Sequence, residues 1–250
     1  MNILALLLLA IALGFNSVAS ADPLPQRVLI VLTNTATVPG SDRPTGVWAS
    51  EYTDPYRVFT QAGFEVHVAS PQGGQSPVDP RSGSEEQVQR ISSAWEKMQD
   101  TRPLDQVRMQ DYAAIFLAGG HGTMWDFPDH PVLGRLVGEA LAANRLVGAV
   151  CHGPAGLLGA RTPDGALVLA GRRVNGFTNA EERAAGMTRV VPFLLEDRLR
   201  QEGGRFESGG VFQRFMVEDG GLITGQNPAS ADAVAERMVE LLRGKTTGLN

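Results

Sequence analysis

Three stretches of this chain are aliphatic without interruption: Arg27-Val-Leu-Ile-Val-Leu-Thr33, Tyr112-Ala-Ala-Ile-Phe-Leu-Ala118 and Leu146-Val-Gly-Ala-Val150. A strand with one face in water alternates apolar and polar side chains, so strands that do not alternate must be covered on both faces. That confines the chain to a sheet with a layer on each side. Phe64-Glu-Val-His-Val-Ala-Ser70 does alternate and reads as a strand nearer the edge, with Glu65 and His67 less buried. The covering layers are legible too. Glu51 to Ala62 carries Tyr52, Tyr56 and Phe59 at helical spacing and is closed by Gly63; Pro131 to Asn144 carries Leu133, Leu136, Val137, Ala140 and Leu141; Ala229 to Arg243 carries Val234, Met238, Leu241 and Leu242. Strands alternating with amphipathic helices predict right-handed βαβ units, and hence an α/β three-layer sandwich with a mostly parallel central sheet.

Two segments stand outside this alternation. Residues 1–21 have no charged side chain, an apolar run from Ile3 to Leu13 and the small tripeptide Ala19-Ser20-Ala21. They predict a secretory signal peptide, cleaved after Ala21, and a secreted or periplasmic product with no membrane attachment once it is removed. A retained anchor is the competing reading, disfavoured because the apolar run is shorter than the ~20 residues of a membrane span. Cleavage leaves residues 22–250, a length suited to a single α/β domain. The second segment, residues 75–110, is rich in Pro, Ser and Asp, with an isolated helical piece around Glu85 to Met98. A long, weakly patterned insertion of this kind predicts a cap or lid, with a solvated decoration as the bland alternative.

Charge removes one class of partner. With 22 Lys+Arg against 27 Asp+Glu, a net charge of −5 and no basic run, the chain lacks the footprint for a nucleic-acid backbone. A single cysteine, Cys151, excludes an internal disulfide and a Cys-rich zinc cluster. It is either core or chemistry.

Its setting favours chemistry. Gly148-Ala-Val-Cys-His-Gly-Pro-Ala-Gly-Leu-Leu158 puts the thiol where a buried strand ends and a helix is expected to begin, flanked by the small residues Ala149 and Gly153. That is the steric signature of a nucleophile elbow. A helix N-terminus there would lower the thiol pKa, and the His152 backbone N–H is placed to serve an oxyanion. Ala118-Gly-Gly-His-Gly122 leaves another strand at the same sheet edge, and its glycines allow close backbone approach to a ligand. Trp48 and Trp125 are loop aromatics suited to lining a pocket or to ordinary packing. His121, Asp126, Asp129 and His130 suggest a metal cluster on paper, but Pro128 interrupts any helical ligand spacing and no metal site is expected.

These motifs carry a resemblance. Ala118-Gly-Gly-His-Gly-Thr-Met-Trp-Asp-Phe-Pro128, Ala149-Val-Cys-His-Gly-Pro-Ala155 and Thr45-Gly-Val-Trp-Ala-Ser-Glu51 with Asp54-Pro55 together resemble the ThiJ/PfpI superfamily. The resemblance implies a flavodoxin-like fold of the class I glutamine amidotransferase type. Ala69-Ser-Pro-Gln-Gly-Gly74, Pro77-Val-Asp-Pro80, Val174-Asn-Gly-Phe-Thr-Asn-Ala-Glu-Glu182 and Val191-Pro-Phe-Leu-Leu-Glu196 are similar to its heat-shock chaperone and glyoxalase III branch. By that resemblance Cys151 is the nucleophile, His152 its catalytic neighbour and Glu51 the pocket carboxylate that shuttles protons. The acid that orients the histidine falls at Glu182, favoured over Glu181 on spacing. Gly119, Gly120, His121 and Trp125 are assigned to the oxyanion and substrate pocket. Glu51 considered alone would be read as an ordinary first-turn helix carboxylate.

The activity implied is a cofactor-independent glyoxalase, converting methylglyoxal or glyoxal to the 2-hydroxy acid through a Cys151 hemithioacetal, with deglycation of proteins as an extension. Amide hydrolysis by the same residues and a non-catalytic stress holdase with a redox-sensing thiol are the alternatives. The partners implied are small aldehydes, glycated or unfolded proteins and a second copy of the chain.

Overall fold

The structure is a computed structural model and describes residues 25–83 and 85–247. The predicted signal peptide lies outside the described residues. Nine strands are present among those residues: β1 Arg27–Val31, β2 Glu65–Ser70, β3 Arg102–Pro103, β4 Ala114–Leu117, β5 Leu146–Val150, β6 Arg173–Val174, β7 Arg205–Phe206, β8 Met216–Asp219 and β9 Leu222–Gly225. Seven form one sheet in the order β3-β2-β1-β4-β5-β9-β8, parallel except for β8, which pairs antiparallel with β9. The remaining pair, β6 and β7, makes a separate parallel ribbon.

The uninterrupted runs lie where their pattern requires, in the middle of the sheet. Along β1, Leu29 and Val31 face one core cluster and Val28 and Ile30 the other, and all four are fully buried. Helix α1 (Ala49–Gln61) lies over one face, with the terminal helix Ala231–Thr247 beside it, burying Tyr52, Phe59, Val234 and Met238. The opposite face is covered by helix Pro131–Ala142, with Leu133, Leu136 and Val137. The alternating strand β2 lies next to the short edge strand β3, with Glu65 exposed and His67 half-buried.

The 75–110 stretch is docked rather than free-standing. Its expected helical piece is two short helices, Glu85–Gln89 and Ser92–Gln99, whose Val88, Ala94 and Met98 are fully buried in the same cluster as α1. The stretch also contributes β3 to the main sheet. Val88 and Met98, withdrawn from water in this way, each contribute roughly 1.5–3 kcal/mol to holding this stretch on the domain.

What positions the site is the register of the two central strands. Leu117 of β4 stands opposite Ala149 of β5, so the loops following them leave the same sheet edge side by side. This is the carboxyl end of a parallel sheet, where open α/β folds place their ligands.

Candidate active site

Cys151 follows β5 with φ +58°, a left-handed conformation that a side chain with a Cβ adopts at a cost. Neighbouring strands hold it there. Its N–H donates to the Gly225 carbonyl at 2.9 Å, and its own carbonyl accepts from the Phe177 N–H at 2.8 Å. The chain continues into the expected helix, which is five residues long and of 3-10 type, Gly153–Leu157. The expected lowering of the thiol pKa is not found. Burial first, and the neighbouring Glu51 carboxyl second, hold the thiol well above its ordinary value.

Its proton has an acceptor at hand. Nδ1 of His152 lies 3.3 Å from the Cys151 sulfur, and Nε2 of the same ring lies 2.8 Å from Glu182 Oε2. A carboxylate only accepts, so Nε2 carries a hydrogen toward Glu182, and in the tautomer with that hydrogen alone a bare Nδ1 faces the thiol. Glu182 is almost fully buried. Burial alone would raise its pKa, but the two histidines beside it hold it below the usual carboxylate range.

The second of those histidines is His121. Its Nε2 donates to Glu182 Oε1 at 2.8 Å, and its ring is tilted against that of His152 with centroids 4.1 Å apart. The sequence placed His121 in the oxyanion pocket. In the structure its ring is hydrogen-bonded to Glu182. Burial and the adjacent His152 push its pKa down to about 4, so it is neutral at physiological pH. On its far side Nδ1 stands 3.1 Å from Nη2 of Arg81, which is paired in turn with the buried Asp79. Among the described residues, His121, His152 and Glu182 are the group whose donor atoms lie close enough together, within 4.8 Å, to hold a metal ion. Those atoms already satisfy one another by hydrogen bonding, which accounts for the arrangement.

Glu51 arrives from the first turn of α1, which is tied to the Gly-Gly loop by the Trp48 N–H donating to the Gly119 carbonyl at 3.1 Å. Its carboxyl is fully buried, and neither oxygen has a hydrogen-bond partner of good geometry. Burial pushes its pKa up to about 8 against the opposing pull of the Cys151 thiol and the Gly119 amide. A buried carboxyl left unsatisfied and neutral beside a thiol marks a candidate functional position. Gly119 is required by contact: a Cβ there would come within 2.4 Å of Glu51 Oε2 and 2.8 Å of the His152 nitrogen. Gly120 adopts φ +106°, and its amide acts on the Cys151 sulfur to lower the thiol pKa in part.

The structure thus brings together Cys151, His152, Glu182, Glu51, Gly119 and Gly120. Trp125 is not among them: it is half-buried against the core cluster that contains Met124 and Phe127. The side chains that sequence reasoning missed are Arg81, Asp79 and Phe177, whose ring lies 4.5 Å from that of His152. The choice between the two adjacent glutamates is settled by capping. Thr178-Asn-Ala-Glu181 forms a capping box, in which Glu181 accepts from the Thr178 N–H at 2.9 Å and its own N–H donates to the Thr178 hydroxyl. Glu181 also accepts from the Phe212 N–H, Gln226 and Asn227, which leaves Glu182 to the histidines.

Comparison with known proteins shows what the chain is similar to. The family model of the DJ-1/PfpI family matches residues 44–241. The chain is 30% identical over 237 residues to the glutathione-independent glyoxalase HSP31 of Saccharomyces cerevisiae, covering 88% of this chain and 99% of that protein. Among solved structures it is similar to glyoxalase III of Candida albicans, with a TM-score of 0.78 and 27% identity over 86% of this chain and 96% of that one. It also resembles the 24 kDa rapid encystment protein of Francisella tularensis, with a TM-score of 0.82 and 35% identity over 86% of this chain and 98% of that one.

Proposed function

The chain belongs to the DJ-1/PfpI family, and from that membership and the geometry of the site we propose that it is a glutathione-independent glyoxalase acting on methylglyoxal or glyoxal. The observation that carries the reading is the buried Glu51 carboxyl, protonated near neutrality, facing a thiol whose other neighbour is an imidazole base. An aldehyde that must be attacked, protonated on oxygen and isomerised needs a nucleophile, a base for the nucleophile's proton and a mobile acid/base. Cys151, His152 and Glu51 supply one each.

The reaction runs as follows. The thiol proton passes to His152 Nδ1 while sulfur bonds to the aldehyde carbon, and Glu51 delivers its proton to the new oxyanion, giving a hemithioacetal. Backbone N–H groups near Gly120 and His152 hold that oxygen. Glu51, now a carboxylate, removes the hydrogen on the aldehyde carbon. The hydroxyl proton shifts to the neighbouring oxygen of the enediolate, and Glu51 returns its proton to the second carbon. The product is a 2-hydroxyacyl thioester. Water then adds to the acyl carbon, giving a proton back to Glu51, while protonated His152 returns the original proton to the departing sulfur. The sum is one dicarbonyl plus one water yielding one 2-hydroxy acid. No thiol cosubstrate is consumed, because the enzyme's own cysteine forms the hemithioacetal.

Early sugar adducts on protein amino groups belong to the same proposal, since they too present a carbonyl to the thiol. So does export, which the apolar run Ile3 to Leu13 and Ala19-Ser20-Ala21 support; N-terminal sequencing of protein recovered from the cell exterior or periplasm tests it. Assembly as a homodimer is read by light scattering. The deciding experiment incubates purified protein with methylglyoxal without glutathione and measures lactate, beside Cys151→Ala and Glu51→Gln. Both variants are expected to be inactive. Lactate formation no faster than with Cys151→Ala, cleavage of a peptide substrate instead, or chaperone activity that survives both substitutions would displace the reading.

A further inference from the structure

The catalytic acid is held from two sides, and only one belongs to the reaction as described. Glu182 Oε2 receives His152, while Oε1 receives His121, which touches neither the thiol nor Glu51 in the contacts described above. His121 is held in turn by Arg81, whose Nη2 lies 3.1 Å from Nδ1 of the ring. Guanidinium only donates, so Nδ1 of His121 must be the bare nitrogen and Nε2 must carry the hydrogen that goes to Glu182. Arg81 is itself fixed by the carboxylate of Asp79, reached by Nε at 3.0 Å. Asp79 is fully buried and also accepts from the Thr45 hydroxyl at 3.3 Å. Asp79 and Arg81 both lie in the 75–110 cap, whereas His121, His152 and Cys151 belong to the sheet-edge loops and Glu182 to the short helix Asn179–Ala184. One polar chain therefore runs from the cap to the nucleophile.

We propose that Arg81 is a positioning residue for the reaction: by locking His121 as its Nε2–H tautomer it fixes the orientation of Glu182, and through Glu182 the Nδ1 of His152 that takes the thiol proton. The cap thereby belongs to the catalytic machinery, since an undocked cap removes Arg81 and frees His121 to rotate or to switch tautomer. In the other tautomer the His121 nitrogen facing Glu182 carries no hydrogen, and Glu182 would lose one of its two donors. The assignment rests on the proposed reading of Cys151, His152 and Glu182 as the reacting set.

Removing Arg81 alone would leave Asp79 as a buried, unpaired charge, which is itself strongly destabilising. The variant tested is therefore Arg81→Met with Asp79→Asn, alone and combined with His121→Phe. Steady-state turnover of methylglyoxal is expected to show kcat reduced roughly tenfold to a hundredfold, the usual range for loss of an orienting group, with KM changed less than twofold. In the His121→Phe background the same pair of changes should cost less than twofold, because its route to Glu182 is already cut. Equal losses in both backgrounds, or a rise in KM in place of the fall in kcat, would overturn the proposal. A spectroscopic readout stands apart from activity. Nitrogen-15 imidazole shifts of the unliganded protein should show a bare Nδ1 and a protonated Nε2 on His121, and the Arg81 variant should change both His121 and His152. A protonated Nδ1 on His121 in the parent protein, or an unchanged His152, sinks the relay. If the double variant fails to fold, Arg81→Lys decides: the ammonium ends one bond short of Nη2, which faces both Asp79 and His121, and lacks the second nitrogen that holds Asp79, so kcat should fall with KM unchanged. A parent protein inert toward methylglyoxal would defeat the functional reading while leaving the imidazole spectra to judge the relay.

Discussion

Glu51→Gln is the most informative single change in this molecule, because it leaves the shape of the site intact and removes one titration. In the folded protein the Glu51 carboxyl titrates at about 8, against 4.5 for an unburied glutamate. Its folded pKa is raised, so its contribution to stability is fully present below pH 4.5 and is lost as pH rises toward 8. Between those limits the unfolded chain has released this proton and the folded chain has not. Each pH unit inside the window costs about 1.4 kcal/mol. From pH 5.5 to 7.5 the expected loss is about 2.5 kcal/mol, slightly less than two full units because the two titrations round off the ends of the window. The glutamine variant has no such proton. Urea unfolding of the parent and of Glu51→Gln, at several values from pH 5.5 to 7.5, should therefore give a stability difference that moves in favour of the variant by that amount. The Cys151 thiol titrates above this window and does not contribute to the slope. A difference that stays constant across the range would mean that Glu51 ionises normally in the folded state, and the account of it as the resting acid would fall with it.

Three further outcomes follow from the same geometry. Because the first proton transfer needs Glu51 protonated, kcat/KM for methylglyoxal should fall as pH rises through about 8; a rate that keeps climbing to pH 9.5 would contradict this. Gly119→Ala places a methyl 2.4 Å from Glu51 Oε2 and 2.5 Å from the Val150 carbonyl, so a stability loss of roughly 1–3 kcal/mol and near-complete loss of turnover are expected, read by thermal melting and lactate formation. Glu181→Ala orphans the Thr178, Phe212, Gln226 and Asn227 donors. It should cost roughly 3 kcal/mol or more in chemical denaturation, whereas Glu182→Gln should spare stability far better while reducing kcat by about 10²- to 10⁴-fold, as when a triad acid is neutralised.

The contrast between those two adjacent glutamates marks where sequence reading succeeds and where it stops. The central strands were legible because coverage on both faces leaves an unmistakable pattern, and the elbow because small residues around Cys151 are a steric demand. Spacing alone left Glu181 and Glu182 nearly equivalent; the local signal that separates them is Thr178 three residues before Glu181, a helix-start signature that commits one carboxylate to the backbone. The hairpin of β8 and β9 also had a local mark in Asp219-Gly220-Gly221, with Gly220 at φ +61°. The two-residue strands β6 and β7 had none, since tertiary contacts alone place them. The thiol pKa was misjudged because position at the end of a strand does not tell how completely the folded chain buries the sulfur, and burial is the larger cause of the rise, ahead of the Glu51 carboxyl. Arg81 lay in a polar, Pro-flanked stretch that reads as solvated loop, and only the folded chain brings it to His121.

The order of the main sheet bears on how safely this protein can be crowded or stressed. One edge strand, β3, is two residues long and includes Pro103, which has no N–H to offer. The other, β8, is four residues long and ends in Glu218 and Asp219. Between them lie five strands, of which the central three, β1, β4 and β5, have the aliphatic character that self-associating segments share. Placing the apolar strands inside, and giving the rims to a proline and two carboxylates, denies an incoming chain a template for strand addition. The sheet therefore offers unfolded neighbours no open strand edge to extend.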